Sequence, residues 1–182
     1  MSTSYANITF LKVSGGNSSY FMGRLFTSQF SILNSNVILN NSIFENSKAD
    51  DSLNIKFSKV TIDNSKFINN LADQVDLDFC LAKISNCTFS PSLIDSNGDG
   101  LDLSGSYAQI TNCIFSDFLD KGLSLGEKSR ALISNCKFNE NESAITVKDE
   151  TTLFSWNNSF NLNTVNYSTY VKSKCLKLRH YI

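Results

Sequence analysis

A phrase of eight or nine residues ending in Asn-x-x-Phe recurs along this chain at nearly constant spacing, and it restricts the available folds more than any other feature. It reads ALISNCKF up to Phe138, YAQITNCIF up to Phe115 and LAKISNCTF up to Phe89. Looser copies end at Phe44 (VILNNSIF), Phe67 (VTIDNSKF) and Phe160 (LFSWNNSF), so successive phenylalanines lie 23, 22, 26, 23 and 22 residues apart. A further copy, Asn7-Ile8-Thr9-Phe10, precedes Phe44 by 34 residues. A fixed period of this length marks a solenoid, in which each repeat buries its apolar face against the next.

A second apolar phrase follows each phenylalanine: LNIKF (53–57), VDLDF (75–79), GLDLS (100–104), GLSLG (122–126) and AITVK (144–148). Both phrases alternate apolar and polar residues, the pattern of strands with one buried face. Two or three short strands with their turns match one coil of a parallel β-helix, each strand pairing with its equivalent one coil up at ~4.8 Å. No helical segment separates the strands, which disfavours a leucine-rich-repeat horseshoe. The expected organisation is one domain over 1–182. Irregular first coils span 1–44 with a loop at 14–24, regular coils span 45–171, and a basic tail covers 172–182.

Stacking places like on like. Val37/Leu39, Val60/Ile62, Ala82/Ile84, Ala108/Ile110 and Ala131/Ile133 are expected to fill the interior. Phe44, Phe67, Phe89, Phe115, Phe138 and Phe160 are expected to form an aromatic stack near a bend. The last copy departs, with Ser155 in the isoleucine column and Trp156 beside it. Asn41, Asn64, Asn86, Asn112, Asn135 and Asn157 form one column, read as an amide ladder between coils. Cys87, Cys113 and Cys136 share another column, continued by Ser42 and Ser65, and read as reduced and buried; Cys80 and Cys175 read as isolated.

Charge bears on partners. The net charge is −1, yet all 17 acids lie within 45–150, against 10 of the 16 bases. This acidic middle excludes nucleic acid as the main partner, since phosphate binding needs clustered Lys and Arg. No apolar run approaches the ~20 residues of a membrane helix. Met1-Ser-Thr-Ser is not a signal peptide. The expected location is therefore cytoplasmic, or the secreted or cell-surface fraction if the chain belongs to a longer one. Lys172, Lys174, Lys177 and Arg179 read as a solvated end. Unpaired edge strands at the ends of a solenoid predict end-to-end self-association or flanking domains.

Three sets of residues could carry chemistry. Asp95-x-Asn97-x-Asp99-Gly100 opens like a calcium loop, but its twelfth position is Ser106 and a strand begins at Leu101, which excludes an EF-hand. A looser calcium site of Asp95, Asp99 and Asp102 is the one cofactor expectation. Asp99, Asp102, Asp120, Lys121 and Glu127 are the catalytic candidates, an acidic strip with lysine extended by Lys148 and Asp149 and suited to a sugar or a cation. The single histidine, His180, lies in the tail. Sequons such as Asn86-Cys-Thr follow from the repeat's own use of Asn and Ser/Thr.

The phrases I-S-N-C-x-F, GDGLDLSGS, DKGLSLGEKS and AITVKDET resemble the right-handed parallel β-helix repeats of the pectate-lyase-like superfamily. They are similar to the β-helix module of large secreted or surface bacterial proteins. The resemblance covers roughly Ser52 to Lys174 and implies an all-β, single-stranded right-handed parallel β-helix of six to seven coils. Its enzymes do not transfer residue by residue. A lyase arginine has only Arg130 near the strip, and the hydrolase histidine and Arg-x-Lys motifs and the epimerase Asp-Pro-His motif are absent. The implied function is a non-catalytic structural or binding module that presents an acidic face to carbohydrate, cations or a partner protein. The alternatives are a lyase or epimerase acting on anionic polysaccharide, and a piece of a larger surface protein with no isolated role.

Overall fold

The computed structural model describes residues 4–92 and 96–172, and every regular element among them is a β-strand. One coil contains three strands, for example Asp51–Lys56, Lys59–Asp63 and Lys66–Asn70. Equivalent strands stack into three seven-stranded sheets, parallel throughout. The first sheet runs from Ser28–Leu33 to Val165–Tyr170, the second from Ser4–Thr9 to Thr152–Trp156, and the third from Lys12–Ser14 to Ser159–Asn161. Ile62 pairs with Ile84, Ile84 with Ile110 and Ile110 with Ile133. The repeat's own period therefore sets the register. The 34-residue first step holds an antiparallel hairpin of Ser19–Phe21 and Arg24–Phe26, which overlaps the loop read from sequence at 14–24 and runs two residues past it.

Alternation sends one set of side chains inward from all three sheets. Leu53, Ile55, Val75, Leu77, Leu101, Leu103, Leu123 and Leu125 enter from the first sheet and the alanine–isoleucine pairs from the second. The third sheet contributes a rail of parallel phenyl rings. Centroids from Phe44 through Phe67, Phe89, Phe115 and Phe138 to Phe160 lie 5.3, 5.2, 4.6, 5.0 and 5.3 Å apart. At the last coil Ser155 shares a 2.9 Å hydrogen bond with the Tyr167 hydroxyl, and Trp156 is 49% exposed.

The corners explain the polar columns. Between the second and third sheets the chain turns through Asn41, Asn64, Asn86, Asn112, Asn135 and Asn157, all with φ between 46° and 56°. Asparagine tolerates this left-handed conformation far better than a bulky residue does. Its amides bond intermittently: Asn64 donates to Asn41 at 2.5 Å and Asn112 to Asn86 at 3.4 Å, while Asn86 donates to Asp63 at 2.7 Å. Backbone geometry is thus what all six share. The next residue faces inward and bridges coils, the Ser42 N–H donating to Ser65 Oγ and the Cys113 N–H to Cys136 Sγ. Cys80, Cys87, Cys113 and Cys136 are free and buried. Burial pushes the Cys80 thiol up to about 11. The hydrogen bond with the Cys136 thiol pushes Cys113 up further.

Two features differ from the sequence reading. Cys80 is not isolated. It occupies a matching column at the corner between the first and second sheets, where its N–H donates to Ser106 Oγ and the Ser106 N–H to Ser129 Oγ. The third corner holds a buried asparagine set that the sequence reading does not contain. Asn70 and Asn141 accept from the Ser47 and Phe118 N–H groups and donate to the Phe44 and Phe115 carbonyls. Asn163 repeats the motif under Asn141 and Phe138. The visible signal is Phe-x-x-Asn in Phe67–Asn70, Phe138–Asn141 and Phe160–Asn163. Cys175 and the basic tail beyond Lys172 lie outside the described residues.

Candidate functional site

The first sheet gathers acids on its outer face and at its strand starts. Two of its strands begin Asp51-Ser-Leu-Asn-Ile-Lys and Asp73-Gln-Val-Asp-Leu-Asp, and Asp99-Gly leads into a third at Leu101-Asp-Leu-Ser. Asp51 and Asp73 share the parity of the core residues Leu53, Ile55, Val75 and Leu77 and sit at the strand starts, beside the corner, whereas the intervening Asn54, Asp76 and Asp102 point outward. Asp73 pairs in register with Asp51, and the Asp99 N–H donates to Asp73 Oδ1 at 2.7 Å. A neighbouring column runs Asn54, Asp76, Asp102, Ser124, Thr146.

Lysines answer some of these charges. Lys121 lies 3.3 Å from Asp99 Oδ1 and 2.5 Å from Asp120 Oδ2. Lys148, 5% exposed, donates to Ser124 Oγ at 2.6 Å and faces Asp102 Oδ1 at 3.7 Å. Lys56 contacts Asp78 at 2.5 Å. Glu127 sits past the strand end, accepting from Ser104 Oγ at 2.7 Å and pairing with Lys172 at 2.5 Å. Asp149 accepts the Lys172 N–H at 2.8 Å. The catalytic candidates are therefore brought together on one side of the solenoid. Arg130 lies on the second sheet instead, with its guanidinium 6.0 Å from the Phe154 ring centroid.

Asp51, Asp73 and Asp76 have the least cationic help. Burial, reinforced by Asp99, pushes the Asp73 carboxyl up to about 8. Burial, reinforced by Asp51 and Asp78, does the same to Asp76, although Asn54 Nδ2 donates to its Oδ2 at 2.5 Å. Burial raises Asp51 and Asp99 to about 6, Lys121 opposing the rise at Asp99. Sequence reasoning missed Asp51, Asp73 and Asp76, although the alignment of the three strand openings contains them.

The chemistry this permits is narrow. Burial alone would favour a neutral Lys121, but Asp99 and Asp120 outweigh it and hold the ammonium above the usual lysine range. A charged ammonium between two carboxylates does not abstract a proton. Asp95 lies outside the described residues, and the other two calcium candidates, Asp99 and Asp102, each face a lysine ammonium. Among the described residues no group of three or more His, Cys, Asp or Glu side chains is arranged to hold a metal ion. No described helix is long and apolar enough to cross a membrane.

The family model described as "Right handed beta helix region" matches residues 51–179. No curated protein matches the chain. Solved structures of QnrB1, a plasmid-mediated fluoroquinolone resistance protein, align over nearly the whole length. A trypsin-treated variant is 11% identical over 92% of both chains with a TM-score of 0.24. The full-length form is 10% identical over 92% of this chain and 94% of its own, with a TM-score of 0.20. Scores this low carry no argument about the present chain. The parallel sheets and the matched span together establish that this chain belongs to the right-handed β-helix family.

Proposed function

We propose that the chain is a non-catalytic binding module whose acidic first sheet takes a lysine-rich segment of a partner protein. One observation carries this reading. The acid columns run on through Asp51, Asp73 and Asp76, where the nearby Lys56 is already paired with Asp78. The chain's own lysines illustrate the fit, since the ammonium groups of Lys121 and Lys148 lie against carboxylates of this same face. A partner's ammonium groups would take the equivalent places one and two coils earlier. Coulomb attraction at a half-buried site exceeds that in bulk water, and each contact removes repulsion between neighbouring carboxylates.

The test is a titration with a lysine–serine decapeptide in low salt. Binding is expected to weaken steeply as NaCl rises and to fall about tenfold or more in the double variant Asp73→Asn, Asp76→Asn. Unchanged affinity in that variant would contradict the site. Turnover of an anionic polysaccharide, with or without calcium, that disappears in Asp102→Ala and Lys121→Ala would replace the module with a lyase or epimerase.

A further inference from the structure

Among the described residues one pair of strands stays outside the three sheets. The hairpin of Ser19–Phe21 and Arg24–Phe26 forms a two-stranded sheet of its own. Tyr20 pairs with Leu25 and Phe21 with Arg24, which leaves Met22 and Gly23 as a two-residue turn. Both turn residues have positive φ, 48° and 75°. Tight hairpins favour asparagine or aspartate before the glycine here, because a bulky side chain is strained at positive φ. Met22 is 89% exposed, so no packing offsets that strain. A Cβ added at Gly23 would meet nothing within 4 Å, so the turn stands clear of the solenoid. Strain that returns no packing points to function.

The apolar surface continues behind the turn. Tyr20 is 76% exposed, Phe21 65% and Leu25 46%. Side chains alternate across a hairpin, so Tyr20 and Leu25 share one face while Phe21 and Phe26 share the other. The base is tied down. Ser18 Oγ donates to the Thr27 carbonyl at 3.1 Å, and Leu25, Phe26 and Thr27 line a small cavity with Ile32, Asn54 and Lys56 of the first sheet. Tyr20, Phe21 and Met22 take no part in that lining. Arg24 follows the turn, its guanidinium 5.5 Å from the centre of the Phe26 ring, and among the described residues it makes no ion pair. Residues 1–44 contain two bases and no acid, and the other base, Lys12, is already paired with Glu45 at 2.8 Å. The tip is thus aromatic, apolar on both faces and positively charged, on a chain of net negative charge.

We infer that this hairpin inserts its tip into the interfacial layer of a membrane containing anionic lipid. Tyr20, Phe21 and Met22 enter the boundary between headgroups and acyl chains, and Arg24 meets the negative headgroups. Apolar side chains on both faces select lipid over a partner's flat surface, which would cover only one of them. The reach fits as well. Three residues per strand extend ~10 Å, and elements that lie in the interface bury their apolar face about 5–10 Å deep. Tyrosine is enriched at that level, where one end of its ring is wet and the other apolar. Water and headgroups there still serve the outward backbone groups of both strands, which the hydrocarbon centre would leave unpaired. Negative lipid supplies the charge complementarity for an arginine without a carboxylate partner.

The experiment is co-sedimentation of the full chain with vesicles of phosphatidylcholine alone and of phosphatidylcholine mixed with phosphatidylserine. The chain is expected to sediment with the mixed vesicles, less with the neutral ones, and less with both kinds of contact screened by NaCl. The double variant Phe21→Ser, Met22→Asn is expected to lose at least tenfold in partition onto the mixed vesicles. Met22→Asn alone places before Gly23 the residue that such a turn favours, so it is expected to weaken partition while leaving the melting temperature unchanged or higher. A merely structural hairpin tip would not show that split. Arg24→Gln is expected to reduce the preference for mixed over neutral vesicles by about fivefold. The acidic-face variant Asp73→Asn, Asp76→Asn is expected to partition like the parent, which separates this surface from the lysine-peptide site. Absence of sedimentation with either vesicle, hairpin variants that partition like the parent, or an equal loss in the acidic-face variant would each overturn the inference.

Discussion

Replacing Phe115 by alanine is expected to destabilise the chain by about 3–5 kcal/mol, read as a lower urea midpoint. The ring is fully buried, 4.6 Å from Phe89 and 5.0 Å from Phe138, with both neighbours within 6° of parallel. It also fills the space against Gly100 and Gly122, where an added Cβ would lie 3.0 and 3.3 Å from its atoms. Removing it opens a cavity that the rigid coil spacing cannot collapse. Because each coil contacts only its neighbours, a gap in the middle uncouples the two halves of the rail and lowers cooperativity, seen as a shallower transition. Phe160 serves as the control. It belongs to the same column but is only part-buried near the end of the stack, so Phe160→Ala is expected to cost less than half as much. Equal losses at the two positions would show that the phenyl rail does not act as a continuous support.

The second large effect is on pH. Asp73 and Asp76 have folded-state values raised from 3.8 to about 8, and Asp51 and Asp99 from 3.8 to about 6. Between these limits the folded chain binds more protons than the unfolded one, so stability must fall as pH rises. The stabilisation is fully present near pH 4, declines through pH 6 and is lost above about pH 8, the reverse of ordinary acid denaturation. A tenfold change in proton affinity is worth about 1.4 kcal/mol, so the swing is on the order of 5 kcal/mol once the neighbouring acids share protons. The charged groups facing these acids, besides one another, are Asp50, Asp78, Asp102, Asp120, Lys56 and Lys121. Both lysines are held above 10.5 and keep their charge throughout the window. Asp76→Asn retains a side-chain oxygen for Asn54 and is expected to raise the melting temperature at pH 8.5 while leaving it nearly unchanged at pH 4.5. A melting temperature that rises from pH 4.5 to pH 8.5 in the parent chain would contradict this assignment.

Particular residues show what the sequence could and could not reveal. Ile62, Ile84, Ile110 and Ile133 recur at the coil period and stack in register, because in a parallel solenoid sequence period and spatial repeat are the same quantity. The asparagine column was equally visible, but its physical basis is a backbone angle, which residue identity only implies. Phe57 and Phe79 end alternating apolar phrases yet sit at left-handed corners, more than half exposed, because a hydrophobic pattern does not distinguish an inward strand position from such a corner. Asp73 and Asp76 were hidden for another reason. Aspartates spaced along one strand are ordinary, and only stacking against Asp51 in the coil before and Asp99 and Asp102 in the coil after brings carboxylates close enough to repel.

The most direct measurement of the proposed role is the proton balance of peptide binding. A lysine–serine decapeptide titrated at pH 7 in two buffers of different ionisation enthalpy reports the protons exchanged per complex. A cation arriving at Asp73 and Asp76 favours their charged forms, so binding is expected to release on the order of one proton, and the release is expected to vanish in Asp73→Asn, Asp76→Asn. Binding without proton release, or the same release from the double variant, would place the peptide elsewhere and contradict the acidic sheet as its site.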